Sequence, residues 1–242
     1  MAQRFFMGES IEEGLVELSG AEAQHLGRVM RAQPGDEVLL FDGQGREAVA
    51  IIQQVERDRI VLESARPQEV DRELPFLLVL GVALPRGDRQ KWLVEKLVEL
   101  GVGSLVPLVT ERGVAQPVPK AIERLKRMVI EASKQSGRNR LMEIESPCSL
   151  AQFLQRESES SVCIIADPHP TAPAIDPLAI REMAEGRIVA AVGPEGGFSP
   201  EEMEQADQFG WQRRRLGNRI LRIETAAMAL AAVLGQGIEG EK

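Results

Sequence analysis

The sequence predicts an α/β fold in two domains: a small N-terminal domain of β-strands and a larger domain with a mainly parallel sheet. Short apolar runs separated by turn residues fill residues 1–72. After that point, longer apolar runs alternate with helical patterns. Between the two regions the chain turns polar and charged at "RPQEVDREL", which indicates a linker. We therefore expect domains at 1–72 and 73–242.

The first domain is expected to be a small β-barrel or meander. Turn signals at Pro34-Gly35-Asp36 and Asp42-Gly43 separate its strand-like runs. These runs are Val38–Phe41, Ala48–Val55 and Ile60–Leu62. The preceding stretch "SGAEAQHLGRVMRAQ" is typical of one helix, which Ser19 could cap. His25 in this helix has no acidic or nucleophilic partner beside it, so we expect it to be structural.

The second domain alternates strands with helices. The runs "PFLLVLGVAL", "SLVPLVT", "VCIIAD" and "RIVAAVG" are typical of strands buried on both faces of a parallel sheet. The stretches "DRQKWLVEKLVELG", ending at Gly101, and "AIERLKRMVIEASKQS" have helical periodicity. Their expected inner faces carry Leu93, Leu97, Leu100, Ile122, Leu125, Val129 and Ala132. Ligands of such sheets collect at the carboxyl ends of the strands.

Composition argues against several classes of protein. The two cysteines, Cys148 and Cys163, are too few for a disulfide framework and lack the spacing or histidine neighbours of a zinc site, so we expect no metal. The start of the chain has no signal-peptide pattern, and the longest apolar run, "FLLVLGVAL", is half a membrane span. We therefore expect a cytoplasmic protein with no membrane anchor.

The chain is acidic overall, but its basic residues are concentrated. The formal net charge is -8, and residues 1–72 hold 8 basic against 14 acidic side chains. Residues 112–140 hold eight basic and two acidic side chains, and 213–222 hold five basic and no acidic ones. Such segments can bind a polyanion locally. Alternatively, they are solvated helix faces.

The stretch "AAVGPEGGFSPEEMEQA" places glycines between a strand and a helix. Its GxxGG spacing differs from the GxGxxG of dinucleotide sites, no lysine is near, and Glu195, Glu201 and Glu202 would repel a phosphate. Ser199, Pro200 and Glu202 have the spacing of a capped helix start. The loop suits a neutral or cationic ligand such as S-adenosylmethionine, or it is a tight turn without a ligand.

A second strand-end loop begins "LGNRILRIETAAMALAAVLG". Gly217 permits close backbone approach to a flat ligand, and Ile220 and Leu221 could cover the faces of an adenine. The following helix carries five alanines between Ala226 and Ala232, which would let another element pack closely. An ordinary core helix would show the same pattern.

The paired loops "VGPEGGFSPEE" and "LGNRILRIETA" resemble the signature of the RsmE family, the 16S ribosomal RNA uridine N3-methyltransferases of the SPOUT superfamily. Three further stretches resemble the family in the same order: "HLGRVMRAQPGDEVLLFDGQG", "VEKLVELGVGSLVPLVTER" and "EASKQSGRNR". The chain departs from the family at Arg86, where lysine is common, and at Met142, where proline is common. Arginine at the first position keeps the charge but changes its geometry.

The resemblance implies a PUA-like RNA-binding β-barrel at 1–72 and a SPOUT α/β domain with a trefoil knot at 73–242. It also implies a homodimer, S-adenosylmethionine as cofactor, and 16S ribosomal RNA in the 30S subunit as partner. The cofactor-binding residues would be Gly193, Glu195, Gly196, Leu216, Gly217, Ile220 and Leu221. The RNA-binding residues would be Arg4, Arg28, Arg31, Arg112, Arg124, Arg127, Lys134 and Arg140.

Uridine N3 must lose its proton before or during methyl transfer, and the resulting negative charge spreads over the neighbouring carbonyl oxygens, where a fixed cation would stabilise it. We expect Arg138 to supply it, with Arg222 or Arg140 as the alternative, because arginine donates two hydrogen bonds in one plane. Water or Glu195 could take the N3 proton, and the target base must leave its stack. Two other functions stay open: methylation of another RNA nucleotide, and non-catalytic RNA binding in ribosome assembly.

Overall fold

The computed structural model describes residues 3–115, 118–159 and 162–235. The chain separates into two compact units. The first runs to Arg72 and also takes in Ser133–Leu141, and the second comprises Glu73–Ala132 and the chain from Met142 onward. Residues 133–141 fall in the second predicted domain, yet they pack with the first unit.

The first unit contains one six-stranded sheet. Its strands are β1 (Gln3–Phe6), β2 (Gly14–Ser19), β3 (Glu37–Phe41), β4 (Arg46–Val55), β5 (Arg59–Ser64) and β6 (Gln68–Glu69). The order is β1-β3-β4-β5-β2, with β6 on β4, and only β1 and β3 run parallel. The three predicted strands are confirmed as β3, β4 and β5. The predicted linker is wrong in part, because Gln68–Glu69 pairs with the start of β4.

A short helix, α1 (Gly20–Gln24), continues into a π-helical segment at His25–Val29. Ser19 occupies the N-cap position as predicted, but its side chain makes no capping hydrogen bond. Leu26 and Ala23 are buried in the core of the unit, together with alternate residues of β4 such as Ile52. Because alternate residues of β4 are buried, one face of the sheet points into the core, and one face of the short helix covers that side of the sheet.

The segment 133–141 joins the first unit through backbone and side-chain bonds. The Asn139 amide donates to the carbonyl oxygens of Gly45 at 3.1 Å and Val70 at 2.8 Å. The Leu141 N–H donates to the carbonyl of Gly43 at 3.0 Å. Asn139 is fully buried. These bonds join residues far apart in sequence, so local periodicity could not reveal them.

Glu47 accepts hydrogen bonds from Arg72 at 2.8 and 2.9 Å and from Arg4 at 3.1 Å. The Arg72 bonds are the main cause that holds the pKa of Glu47 below its usual value. A depressed carboxyl pKa stabilises the fold above the unfolded-state pKa, and this stabilisation is lost as pH falls through the folded-state pKa. Glu47 therefore supports the fold at neutral pH.

Glu47→Gln is expected to lower the free energy of unfolding near neutral pH by about 1–3 kcal/mol, because two arginines lose a charged acceptor. The difference from the parent should begin to shrink below the unfolded-state pKa of about 4.3 and should disappear only as pH falls through the lower folded-state pKa of Glu47. Urea unfolding at several pH values measures both effects. A constant difference down to acidic pH would contradict this role.

The second unit contains a parallel sheet, as predicted; the sheet has seven strands, of which four were predicted. Its strands are β7 (Leu77–Val82), β8 (Ser104–Val109), β9 (Glu143–Ile144), β10 (Cys148–Ser149), β11 (Val162–Ala166), β12 (Arg187–Val192) and β13 (Gln212–Arg214). The order is β10-β8-β7-β12-β11-β13, with β9 on β8, and every pairing is parallel. The trefoil knot concerns the path of the chain, which strand order does not test, so it stays a prediction.

The described part of this unit also contains six helices. They are α2 (Arg89–Glu99), α3 (Pro119–Ser136), α4 (Leu150–Glu157), α5 (Pro177–Met183), α6 (Pro200–Gln208) and α7 (Ile223–Gly235). The predicted inner positions of α2 and α3 are buried, apart from Leu100, which is half-buried. Gly101 follows α2 with φ of 79°, the left-handed conformation expected after a helix end. Within the described ranges, no helix combines the length and apolarity needed to cross a bilayer.

Candidate functional site

Three neighbouring strands of the second unit end at one edge of its sheet. β11 lies between β12 and β13, and both pairings are parallel, so the loops that follow these strands meet there. Together with the start of α7 they form an open cavity of about 610 Å³, counting the space open to solvent.

Six of the seven predicted cofactor residues line this cavity. They are Gly193, Glu195, Leu216, Gly217, Ile220 and Leu221. Gly196 does not line it, whereas its neighbour Gly197 does. The structure thus brings both predicted loops to one place, although cofactor binding by these residues stays a prediction.

The first loop is a tight turn held close to the sheet. The Gly197 N–H donates to the Pro194 carbonyl at 2.8 Å, and Gly197 has a φ of 68°. The ring of Phe198 covers Gly193 so closely that a Cβ there would lie 3.1 Å from it. Packing therefore favours glycine at the first position, and backbone conformation favours it at the second.

The predicted capped start of α6 is confirmed. The Ser199 hydroxyl accepts from the Glu202 N–H at 3.2 Å, and Glu202 accepts from the Ser199 N–H at 2.8 Å, with Pro200 in the first turn. Glu202 also accepts from the N–H of Glu111 at 2.9 Å. Its carboxylate thus binds backbone donors of two segments and fixes the loop to the end of β8.

The loop is less acidic than its sequence suggests. Glu195 pairs with Arg89 at 3.1 Å, and Arg89 also lies 3.6 Å from Glu224, which is 5 % exposed. Arg89 therefore links the first loop to the start of α7. Because Glu202 is engaged in capping and Glu195 is paired, repulsion of an anion is a weaker argument than the sequence indicated.

The side chain of Arg112 hydrogen-bonds to the backbone of the loop at Gly196. The Arg112 guanidinium donates to the carbonyls of Gly196 at 3.1 Å and Phe198 at 3.4 Å. A Cβ on Gly196 would lie 3.5 Å from the Arg112 side chain. Arg112, a predicted RNA-binding residue, therefore supports the loop from the end of β8, and an RNA contact by it stays a prediction.

Arg112→Ala is expected to weaken S-adenosylmethionine binding about 5- to 10-fold, because the loop loses two charge-assisted hydrogen bonds to its backbone. Calorimetry measures the dissociation constant. Arg124→Ala, which removes an exposed arginine of α3, is the matched control and should leave cofactor affinity unchanged. Equal affinity in the Arg112 variant would show that the loop keeps its conformation without this support.

The second loop supplies the apolar and the unpaired charged parts of the cavity. Gly217 has a φ of 116°, which strongly favours glycine. Ile220 lines the cavity but is 88 % exposed, whereas Leu221 is half-buried. Ile223 and Ala226 of α7 complete this wall, so the alanine-rich helix lets the loop and the cavity lie close to the helix.

The arginines predicted to be catalytic lie in different places. Arg222 is exposed and does not line the cavity. Arg138 is 5 % exposed and belongs to the 133–141 segment of the first unit. Their catalytic roles stay predictions. Instead, Arg214 and Arg219 line the cavity.

Arg214 and Arg219 differ in their bonding. Arg214 donates to the Arg213 carbonyl at 2.9 Å and to the Gln212 side chain. Arg219 is exposed, and it has no hydrogen bond or ion pair with any residue in the part of the chain that the structure describes. Arg219 is therefore the cation beside the cavity that is available to a ligand.

A third loop, after β11, also reaches the cavity and was missed from sequence. Ala166, Asp167 and Pro168 line it. The Asp167 carboxylate accepts from the His169 N–H at 2.9 Å and lies 3.7 Å from Arg213. The strand-end rule applied to "VCIIAD" would have pointed to this aspartate, because β11 ends directly before it.

The other predicted RNA-binding residues divide into paired and exposed ones. Arg4 binds Glu47, and Lys134 binds Glu22 at 3.0 Å and lies over the ring of Phe5. Arg28, Arg31, Arg124, Arg127 and Arg140 are exposed. RNA binding by any of them stays a prediction. Arg28 pairs with Asp58 at 3.5 Å, and the other four exposed arginines can reach a phosphate without breaking an ion pair.

No metal site is evident within the described ranges, where no three His, Cys, Asp or Glu side chains lie close enough to hold an ion. Both cysteines are free thiols. Burial raises the pKa of Cys163 to about 11 and also raises that of Cys148. Neither thiol therefore has the thiolate character of a nucleophile.

Comparison with known proteins finds a matching domain family for each of the two units. A family model described as RNA methyltransferase domain matches residues 72–235, and one described as RNA methyltransferase PUA domain matches residues 18–63. Ribosomal RNA small subunit methyltransferase E of Synechocystis sp. is 32% identical over 237 residues, which cover 96% of this chain and 77% of that protein. The Bacillus subtilis protein of the same name is 30% identical, with 96% and 95% covered.

A solved structure extends the likeness to three dimensions. Ribosomal RNA small subunit methyltransferase E of Neisseria gonorrhoeae, bound to S-adenosyl methionine, superposes with a TM-score of 0.88 at 31% identity, covering 97% of each chain. The family model spans more than half of the sequence, and the relatives match it over nearly its full length. On these grounds the chain belongs to the ribosomal RNA small subunit methyltransferase E family.

Proposed function

We propose that this chain transfers a methyl group from S-adenosylmethionine to N3 of one uridine in 16S ribosomal RNA. The observation that carries the proposal is the convergence of loops 193–198 and 216–221 on one cavity at the strand ends. The names of the relatives support ribosomal RNA as the substrate, and the cofactor of the Neisseria gonorrhoeae protein supports the methyl donor.

The cavity fits a nucleoside that carries charges of both signs. Leu216, Leu221 and Ile223 offer apolar cover for an adenine, while Gly193 and Gly217 allow the backbone to come close. The ionisable residues that line the cavity are Asp167, Glu195, Arg214 and Arg219, two of each sign. This balance suits a zwitterionic amino acid tail. When bound, S-adenosylmethionine supplies an electrophilic methyl group on a sulfonium.

The residues around the cavity have two tasks during transfer. The N3 proton of uridine must leave, and Asp167 and Glu195 are carboxylates at the cavity that can accept it directly or through water. The charge left on the uracil oxygens needs a fixed hydrogen-bond donor. Arg219 is placed for this task, and Arg138 and Arg222 stay proposed as further catalytic residues.

Arg138→Ala is expected to lower the rate of methyl transfer to 30S subunits about 100-fold or more while leaving the affinity for S-adenosylmethionine unchanged. Transfer of a labelled methyl group and calorimetry measure the two quantities. Arg138 is buried, so thermal unfolding is followed alongside, and Arg138→Lys tests charge separately from geometry. Normal transfer by a folded Arg138→Ala variant would remove Arg138 from the mechanism.

We also propose that the protein acts in the cytoplasm as a homodimer whose second copy covers part of the cavity. Ile220 supports this, because it is an apolar residue that lines the cavity and yet is 88 % exposed. Trp92 of α2 is 43 % exposed in the same unit. Large exposed apolar side chains are candidates for burial in an interface, and sedimentation of the purified chain tests the dimer.

Two alternatives lead to different measurements. A non-catalytic ribosome-assembly protein would have no reason to keep the cavity, so an absence of calorimetric heat with S-adenosylmethionine would favour it. A methyltransferase for another RNA nucleotide would bind the cofactor but place the label elsewhere. Labelled transfer to 30S subunits and to free RNA, compared side by side, tests the proposal against both.

A further inference from the structure

The sheet of the first unit has an outer face on which large apolar side chains meet solvent. Along β4, Ala50 and Ile52 are buried, whereas Val49 and Ile51 are 41 % and 44 % exposed. Leu15 of β2 is 72 % exposed. Side chains of a strand alternate between the two faces of its sheet, so these exposed residues lie on the face opposite the core. The core of the unit therefore does not account for them.

The register of the strands brings these residues into one patch. Leu15 pairs with Glu63 of β5, and Glu63 pairs on its other side with Ile51. Ile51 pairs in turn with Glu37 of β3. Directly opposite residues of antiparallel strands point to the same face, so Leu15 and Ile51 stand on either side of Glu63. We call Leu15, Glu37, Val49, Ile51 and Glu63 the outer patch.

The carboxylates of the outer patch are not neutralised within the fold. Glu37 and Glu63 are exposed, and their side chains form no hydrogen bond or ion pair with any residue that the structure describes. Arg59, at the other end of β5, is already paired with Glu17 at 2.9 Å. Residues 1–72 hold 14 acidic against 8 basic side chains. The outer patch therefore combines apolar area with negative charge.

This negative charge argues against several occupants. It would repel the phosphates of a nucleic acid and an anionic membrane surface. A second copy that laid the same patch against this one would place carboxylates opposite carboxylates, which costs affinity. The outer patch instead fits a protein surface that is both apolar and basic.

Such a partner would complement the patch in both respects. Leu15, Val49 and Ile51 offer the kind of apolar area that is buried at the centre of an interface. Glu37 and Glu63 can pair with lysine or arginine. Proteins that lie among the phosphates of ribosomal RNA need basic surfaces. The small ribosomal subunit, which is the substrate particle under the proposed function, therefore offers partners of this chemistry.

We propose that the outer patch docks on a basic protein of the small ribosomal subunit, with Leu15 and Ile51 against apolar side chains and Glu63 against a lysine or arginine. The inference rests on the proposed function for the choice of this subunit. It adds a protein contact to the RNA contacts that the resemblance implies. Such a contact lets the chain distinguish an assembled subunit from free RNA.

Glu63→Lys distinguishes a basic protein from RNA as the occupant, because the two predict opposite signs. A basic protein would repel the new charge, so the affinity for purified 30S subunits should fall about 5- to 20-fold. The affinity for a protein-free 16S ribosomal RNA transcript should stay unchanged. RNA at the patch would instead raise both affinities, because the variant has gained a cation. Both dissociation constants are measured at one fixed salt concentration.

Ile51→Thr tests the apolar part of the patch. It should lower the affinity for 30S subunits about 3- to 10-fold through lost apolar burial and leave the transcript affinity unchanged. Threonine keeps the preference for a strand, and thermal unfolding checks the fold. Glu69→Lys is the matched control for Glu63→Lys. Glu69 is exposed and pairs with Arg46, which places it on the other face of the sheet, so both affinities should stay unchanged.

A photo-crosslinking residue, p-benzoylphenylalanine in place of Leu15, identifies what covers the patch. With purified 30S subunits we expect a crosslink to a basic protein, identified by mass spectrometry. A crosslink only to RNA or to a second copy, an unchanged 30S affinity in both patch variants, or an equal loss with the transcript would each overturn the proposal.

The same measurements keep this proposal separate from the proposed function. If the parent chain binds 30S subunits through the patch but methylates nothing, the proposed function fails while the contact stands. If the parent methylates 30S subunits and the patch variants bind them as the parent does, the contact fails while the proposed function stands.

Discussion

Gly217→Val is expected to raise the dissociation constant for S-adenosylmethionine by about tenfold to a hundredfold. Gly217 lines the cavity at φ of 116°, a region that a β-branched residue avoids. Forcing valine into it costs about 1–3 kcal/mol, which the second loop can avoid only by changing its path. Both the strained loop and a changed path would alter the wall of the cavity. Calorimetry with the cofactor measures the dissociation constant.

Gly186→Val is the matched control for this prediction. Gly186 also has a positive φ, of 79°, and open space around its Cα, but it lies in the turn before β12 and does not line the cavity. Both variants should lose stability, and only the Gly217 variant should lose the cofactor. Cofactor binding that is equal in the two variants would show that loop 216–221 is not part of the binding site.

Arg219→Ala is expected to lower kcat/KM for methyl transfer about 100-fold to 1,000-fold, the usual cost of removing a donor that stabilises developing negative charge. Arg219 lines the cavity and has no partner within the described ranges, so its guanidinium is available to the uracil oxygens. Arg219→Lys should recover part of the rate, because it restores charge without the planar pair of donors.

Binding measurements separate the role of Arg219 in transfer from a role in holding the cofactor. If the arginine acts on uracil, Arg219→Ala lowers kcat and leaves the dissociation constant for S-adenosylmethionine unchanged. If it holds the carboxylate of the cofactor, affinity falls for S-adenosylmethionine but not for methylthioadenosine, which lacks that group. Lys91→Ala, on the exposed side of α2, controls for loss of one charge. An unchanged kcat/KM in the Arg219 variant would contradict the predicted role in transfer.

Local patterns predicted the elements whose structure depends on nearby residues. Continuous apolar runs gave β7, β8, β11 and β12, because strands buried on both faces need no alternation. The capped start of α6 followed from three residues, Ser199, Pro200 and Glu202, whose bonds lie within one turn. The rule that ligands bind at the carboxyl ends of parallel strands also predicted the location of the cavity.

Features set by distant residues were missed or misjudged. The negative charge of Glu195 is balanced by Arg89, more than a hundred positions earlier. The Gln68–Glu69 strand exists because β4 offers it a partner, and 133–141 belongs with the first unit because of bonds such as those of Asn139. Arg219 rather than Arg222 lines the cavity, since side-chain direction in an irregular loop has no period to reveal it.

The most direct test of the central claim is to map the methyl group. The purified chain is incubated with 30S subunits and labelled S-adenosylmethionine, and the 16S ribosomal RNA is then examined by nucleoside mass spectrometry and by reverse transcription. The proposed function predicts 3-methyluridine at one position, seen as a stop because N3 methylation blocks the pairing edge. Label on another base or on ribose, or no label from a chain that binds the cofactor, would contradict it.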